Sequence, residues 1–206
     1  MKIKNFLDKS ISFLINRISE LIGLILMFLS VLLLLSLVSY SPEDPNFIFP
    51  ENTEIKNLMG IRGSYVSDIL FQSIGLISLL VPISLFFISI LIILDKKILY
   101  FIKNFFFIIL YSILGTIFFT IFHTETYWLT INGNNGFIGN LFQDSIFINI
   151  LKYNHKLSYL ILIIFISILF FVSIKFKFKY LRYITNIFYK SKKLPASNKV
   201  DSLSKN

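Results

Sequence analysis

Four long apolar runs alternate with polar segments along the chain. The runs cover residues 21–38, 69–94, 105–122 and 157–174. Each is close to or above about 20 residues, the length at which a helix crosses a hydrocarbon layer of about 30 Å. Charged and apolar side chains mix in residues 1–20, which predicts an amphipathic helix on the membrane surface. The pattern predicts an all-α, polytopic membrane protein with four transmembrane helices, loops at 39–68 and 123–156, and a tail at 175–206.

Composition supports the membrane assignment. Of 206 residues, 55% are hydrophobic and 17% aromatic, and the mean hydropathy is +0.76. A soluble domain of this length does not carry so much apolar surface. The chain has no cysteine, which excludes disulfides, thiolate metal sites and a cysteine nucleophile.

The basic residues predict the orientation of the chain. Of 20 Lys and Arg residues, 16 lie in the N-terminal segment, the connection at 95–104 or the tail. The other 4 lie in the two long loops: Lys56, Arg62, Lys152 and Lys156. Because basic residues accumulate on the cytoplasmic side, we expect both termini in the cytoplasm and both long loops outside.

The basic tail is expected to contact the membrane surface. Clustered lysines next to a transmembrane helix attract anionic lipids, and no folded DNA-reading motif accompanies them. We therefore expect lipid contact and no direct sequence-specific DNA binding. From residue 194 onward the tail is polar, which predicts disorder.

Few residues suggest chemistry. His123, Glu125 and His155 lie at span ends, and a metal site needs three or four convergent ligands, so we interpret them as boundary residues. A nucleotide-binding P-loop and a catalytic triad pattern are both missing. The predicted spans hold no ionisable residue, which argues against ion-coupled transport. We predict no catalytic residue, cofactor or metal, and no enzyme activity; a small passive channel or transporter component is the alternative function.

Residues 39–45, Ser-Tyr-Ser-Pro-Glu-Asp-Pro, follow the first span directly. Tyr40 suits the membrane–water boundary. Ser41, Pro42 and Asp44 have the order of a helix start, but Pro45 removes the next amide donor and prevents a long helix. The segment predicts a rigid turn at the membrane surface.

A second group of residues precedes and enters the second span. Asn57, Gly60, Gly63 and Asp68 come before the apolar run, and the glycines permit positive φ or close backbone approach. Within the run, Gly75 and Pro82 predict a close-packing face and a kink.

In this order the motifs resemble the N-terminal four-span membrane domain of the FtsK/SpoIIIE DNA translocases. Residues 39–45 are similar to the family's S-Y-S-P-x-D-P, and residues 57–68 to its N-x-x-G-x-x-G…D. Phe71, Gly75 and Pro82 have the family's spacing, and Gly136-x-x-Gly139 is a weaker match. The resemblance covers about residues 20–175. The approach to the fourth span, residues 149–158, lacks the family's glycines.

The resemblance implies an inner-membrane anchor or scaffold of bacterial cell division and chromosome segregation, located at the septum. It also implies contacts with other division proteins, homo-oligomerisation, and a motor that is separately encoded or lost. The chain ends about 30 residues after the fourth span, so we expect no ATP hydrolysis or DNA pumping of its own. Ten residues are expected to shape an interaction surface: Tyr40, Pro42, Asp44, Pro45, Asn57, Gly60, Gly63, Asp68, Gly75 and Pro82.

Overall fold

The computed structural model describes residues 2–46, 54–123, 129 and 131–175, with side chains from residue 9 onward. These residues form helices and turns, with no strand among them. The helices are α1 (Lys2–Val38), α2 (Gly60–Ile74), α3 (Leu80–Asp95), α4 (Leu99–Phe122), α5 (Gly136–Phe142), α6 (Ile146–Tyr153) and α7 (His155–Ser173), and a 3-10 helix (Gly75–Leu79) joins α2 to α3. Glu125 and residues 176–206 lie outside the described part, so the expectations for them stay predictions.

Four helical segments in the described part are long and apolar enough to cross a membrane. They are Lys9–Val38, Gly60–Asp95, Leu99–Phe122 and His155–Ser173. The prediction of an all-α membrane protein with four transmembrane helices is therefore confirmed. The side of the membrane on which the termini lie stays a prediction.

Residues 1–20 and the first span differ from the predicted division. A single helix, α1, runs from Lys2 through Val38, because residues 2–22 contain no glycine or proline that would end it. Arg17 and Glu20 form an ion pair with an N–O distance of 2.6 Å on its surface, and Glu20 also pairs with Lys96 at 2.9 Å. The N-terminal segment thus continues the helix that crosses the membrane.

The second helical segment begins at Gly60 rather than at residue 69, and it is not one straight helix. Gly75 adopts φ 66° and ψ −150°, which ends α2. Pro82 is the third residue of α3, where a missing N–H costs no intrahelical hydrogen bond. The break predicted for this span therefore lies at Gly75, and Pro82 is accommodated in a first helical turn.

The loop predicted at 123–156 contains two short helices, α5 and α6. Polar side chains cap the N-termini of α6 and α7. The Ser145 hydroxyl accepts a hydrogen bond from the Ile148 amide at 3.4 Å before α6, and the Asn154 side chain accepts one from the Leu157 amide at 3.3 Å before α7. Such caps satisfy amides that have no partner within the helix.

The helices pack in pairs, α1 against α3 and α4 against α7. Ser84 joins three of them, because its hydroxyl lies 3.0 Å from the Tyr111 hydroxyl and 3.1 Å from that of Ser173. The outward faces of α1 and α7 keep large apolar side chains exposed, including Phe28 and Phe165. An exposed apolar surface of this kind suits contact with lipid.

Candidate functional site at the Tyr40 corner

The segment after α1 forms a hydrogen-bonded turn. The Asp44 amide donates to the Ser41 carbonyl at 3.2 Å, and the Glu43 amide donates to the Ser41 hydroxyl at 3.4 Å. No helix begins here. Pro42 is exposed at the tip of the turn, whereas Pro45 is buried. We call residues 36–46 and 54–72 together the Tyr40 corner.

Asp44 joins the two sequence motifs. Its side chain is 4% exposed, and its two carboxylate oxygens accept hydrogen bonds from the Lys56 and Asn57 amides, each at 2.8 Å. Hydrogen bonds to a charged acceptor are stronger than neutral ones. One carboxylate thus fixes the start of the second motif against the end of the first.

Asn57 closes the end of α1. Its side-chain nitrogen donates to the Ser36 carbonyl at 2.9 Å, and its side-chain oxygen accepts from the Met59 amide at 3.0 Å. The Ser36 carbonyl belongs to the last turn of α1, where carbonyls lack partners within the helix. The Gly60 amide donates to the Asn57 carbonyl at 2.9 Å, and Gly60 has φ +65°, which glycine adopts without steric cost.

Gly63 leaves room for Asn57 and Met59 beside the first turn of α2. The Ser36 hydroxyl donates to the Gly63 carbonyl at 2.6 Å, and a Cβ on Gly63 would overlap the side chains of Asn57 and Met59. The Ser64 hydroxyl donates to the Pro45 carbonyl at 2.6 Å. The first turn of α2 is thereby held against both α1 and the turn that follows it.

Asp68 links the corner to the second loop. It is 5% exposed, and one carboxylate oxygen accepts from the Tyr40 hydroxyl at 3.0 Å and from the Gln72 side chain at 3.3 Å. The Gln72 oxygen in turn accepts from the Asn132 side chain at 3.0 Å. The Tyr40 ring centroid lies 4.9 Å from that of Phe71. Polar and aromatic contacts together fix the segment after α1 on α2.

The backbone of the second loop contacts the break at Gly75. The Leu76 amide donates to the Asn134 carbonyl at 2.9 Å, and a Cβ on Gly75 would overlap that carbonyl. Gly136 has φ +66°, and a Cβ there would lie 2.5 Å from the Gly75 nitrogen. Two glycines thus permit a contact between two backbones.

The corner has ionisable groups both in its interior and on its surface. Burial, and then the neighbouring Asp68 carboxylate, raise the pKa of Tyr40 well above its ordinary value, so the hydroxyl stays a neutral donor. On the surface, Lys56 pairs with Glu43; their hydrogen bond lowers the pKa of Glu43 and raises that of Lys56. The buried polar side chains of the corner bond to one another and to the backbone, which makes the arrangement a rigid frame.

Most of the predicted site residues meet at the corner. Tyr40, Asp44, Pro45, Asn57, Gly60, Gly63 and Asp68 belong to it, with Pro42 at its exposed tip, while Gly75 contacts the second loop and Pro82 is buried in α3. The prediction omitted Ser36, Ser64, Gln72, Asn132 and Asn134. Gln72 had a signal, as an amide in an apolar run. The serines had none, because small hydroxyl residues are common in membrane helices.

Replacing Tyr40 with Phe tests the buried hydroxyl. We expect a loss of about 1 kcal/mol, since the hydrogen bond to Asp68 is removed while the ring contact with Phe71 is kept. The raised pKa also makes the contribution of Tyr40 to stability depend on pH. The buried hydroxyl stabilises the fold fully below pH about 10, the pKa of tyrosine in the unfolded chain, and this stabilisation is lost as the pH rises further. SDS titration in mixed micelles at pH 8 to 11 measures the difference. A wild-type and Tyr40→Phe difference that does not change with pH in this range would contradict the assignment.

Comparisons with known proteins identify a family and several relatives. The family model for the 4TM region of DNA translocase FtsK/SpoIIIE matches residues 16–183. The DNA translocase FtsK of Rickettsia prowazekii (strain Madrid E) is 35% identical over 77 residues, 36% of this chain and 10% of that protein. That of Rickettsia typhi (strain ATCC VR-144 / Wilmington) is 33% identical over 79 residues, 37% of this chain and 11% of that protein. This chain therefore spans about a tenth of the length of these relatives. No solved structure matches it.

Proposed function

The chain belongs to the family of the 4TM region of DNA translocase FtsK/SpoIIIE, as its motifs predicted, and from this membership we propose that it anchors the bacterial cell-division and chromosome-segregation machinery in the membrane. The observation that carries the proposal is the frame that Asp44 and Asn57 build between the two motifs. A rigid frame loses little entropy when a partner binds it. The proposed location is the cytoplasmic membrane at the septum.

The proposed orientation places the Tyr40 corner outside the cytoplasm and both termini within it. The distribution of Lys and Arg supports this, since 16 of 20 lie in the segments assigned to the cytoplasm. A motor polypeptide on the cytoplasmic side would supply the translocase activity for which the relatives are named. In this proposal the anchor also associates with copies of itself, and DNA is handled by the motor.

The proposed contact surface is the exposed part of the corner. Leu58 is 70% exposed, and Ile55 next to the frame is 41% exposed. The Glu43–Lys56 ion pair lies beside them. Exposed apolar side chains with a charged rim are typical of protein interfaces, so we propose that another division protein binds here.

A pair of photocrosslinking residues tests the proposed surface. Leu58 and Leu99 are equally exposed, each at 70%, but only Leu58 belongs to the corner. We expect a crosslinker at position 58 to capture division proteins in dividing bacteria, and one at position 99 to capture none of the same proteins. A fluorescent fusion of the chain should be enriched at midcell. Uniform fluorescence over the envelope, or identical partners from both positions, would contradict the proposed function.

A further inference from the structure

An apolar groove of about 460 Å³ separates α1 from α2. Leu29, Leu32 and Leu33 form its α1 wall, and Met59 and Val66 form the opposite wall. Leu29 and Val66 are exposed. Because α1 crosses the membrane, the open side of a groove along its apolar surface is available to lipid.

The groove begins near the membrane surface and runs inward. Ser36 and Arg62 line it where α1 approaches its end at Val38. Leu29 lies seven residues before Ser36 along the helix, which corresponds to about 10 Å at about 1.5 Å per residue. One leaflet of the hydrocarbon layer is about 15 Å thick. The groove therefore has the depth of the upper part of a lipid acyl chain.

Arg62 gives the groove a polar end. Its side chain is exposed, and no described carboxylate forms an ion pair with it, whereas Lys56 pairs with Glu43 and Lys96 with Glu20. A guanidinium group binds phosphate through parallel hydrogen bonds. A cation at the surface end of an apolar groove complements a phospholipid, whose anionic phosphate lies at the membrane surface and whose acyl chain lies below it.

We propose that this groove binds one anionic phospholipid from the leaflet at the Tyr40 end, with its phosphate on Arg62 and an acyl chain along Leu29 and Leu33. The proposal rests on the membrane embedding of the chain and does not depend on a role in cell division. It also connects the lipid to the corner, because Leu33 packs against the core cluster formed by Leu37, Phe71 and Leu129. The bound lipid would stabilise the corner in proportion to its occupancy.

Photolabelling in phosphatidylcholine vesicles tests the site. The probe is phosphatidylglycerol with a photoreactive group in one acyl chain, added as a minor component. We expect labels concentrated on Leu29, Leu32 and Val66. Arg62→Gln should reduce this labelling about fivefold, the effect of removing one basic charge near an anionic surface. Arg62→Lys should retain most of it.

Lys56→Gln is the matched control, because it removes a nearby cation that precedes α2 and does not line the groove. The labelling of this variant should equal that of the wild type. Diacylglycerol with the same photoreactive chain should label weakly, since it has no phosphate. Excess unlabelled phosphatidylglycerol should compete in the wild-type protein, which makes the result independent of how any variant folds.

Three outcomes would overturn the proposal. Equal labelling by the phosphate-free probe would show that Arg62 selects nothing. Labels spread evenly over the exposed face of α7 would show general lipid contact. The chain has no cysteine, so Leu29→Cys can also be tested alone: disulfide-linked dimers that exclude the probe would show that a second copy fills the groove.

Discussion

Gly75→Ala is expected to lower the free energy of unfolding by about 3 to 5 kcal/mol, the sum of a backbone cost and a packing cost. Gly75 has φ 66° and ψ −150°, a region that residues with a Cβ almost never adopt. The added Cβ would also overlap the Asn134 carbonyl, which accepts a hydrogen bond from the Leu76 amide. Because both partners are backbone, no side-chain rotation relieves the overlap. SDS titration in mixed micelles, followed by circular dichroism, measures the loss.

Gly60 and Gly136 supply the controls. Gly60 has φ +65°, but a Cβ added there would enter open space, so Gly60→Ala should cost only about 1 to 2 kcal/mol. Gly136 has φ +66°, and its Cβ would meet the Gly75 nitrogen, so Gly136→Ala should resemble Gly75→Ala. If all three variants lost the same free energy of unfolding, this would contradict the backbone contact between the second loop and the helix break at Gly75.

Hydropathy predicted the membrane helices well because burial in lipid depends on local composition. It missed the start of α2 for a physical reason. Ser64, Ser67 and Asp68 lower the local hydropathy, yet all three are buried and bonded to distant groups. The Ser64 hydroxyl, for example, donates to the Pro45 carbonyl. A polar residue satisfied by tertiary contacts cannot be distinguished in the sequence from one that faces water.

At the candidate site, too, the sequence predicted local features and missed those that depend on tertiary contacts. The motif residues stood out in the sequence, but their roles depended on partners elsewhere in the chain. Asp44 had the position of a first-turn helix acid, and its actual partners are amides 12 and 13 residues later. Ser36 gave no signal, although its carbonyl and hydroxyl contact Asn57 and Gly63. The sequence predicted a close-packing face at Gly75 and a kink at Pro82, but only the fold shows that the break lies at Gly75 and that Asn134 occupies the space beside it.

Asp44→Ala is expected to lower the free energy of unfolding by about 2 to 4 kcal/mol, because two hydrogen bonds to a charged acceptor are lost and the buried Asn57 amide is left without its partner. Asp44→Asn should lose less, since it keeps one carbonyl oxygen. Glu43→Gln is the matched control on the adjacent residue: it removes the charge of an exposed ion pair with Lys56 and should change stability little.

Hydrogen exchange locates the effect of Asp44→Ala. The Lys56 and Asn57 amides donate to the Asp44 carboxylate, so their exchange should accelerate at least tenfold, as expected when a charged hydrogen bond of about 1.5 kcal/mol or more is removed. Amides in α7 should keep their protection. The crosslinks from Leu58 should decline in parallel, because the frame that presents this side chain is loosened while the four membrane helices remain. Unchanged exchange at both amides, or an equal acceleration in Glu43→Gln, would show that Asp44 does not hold the two motifs together.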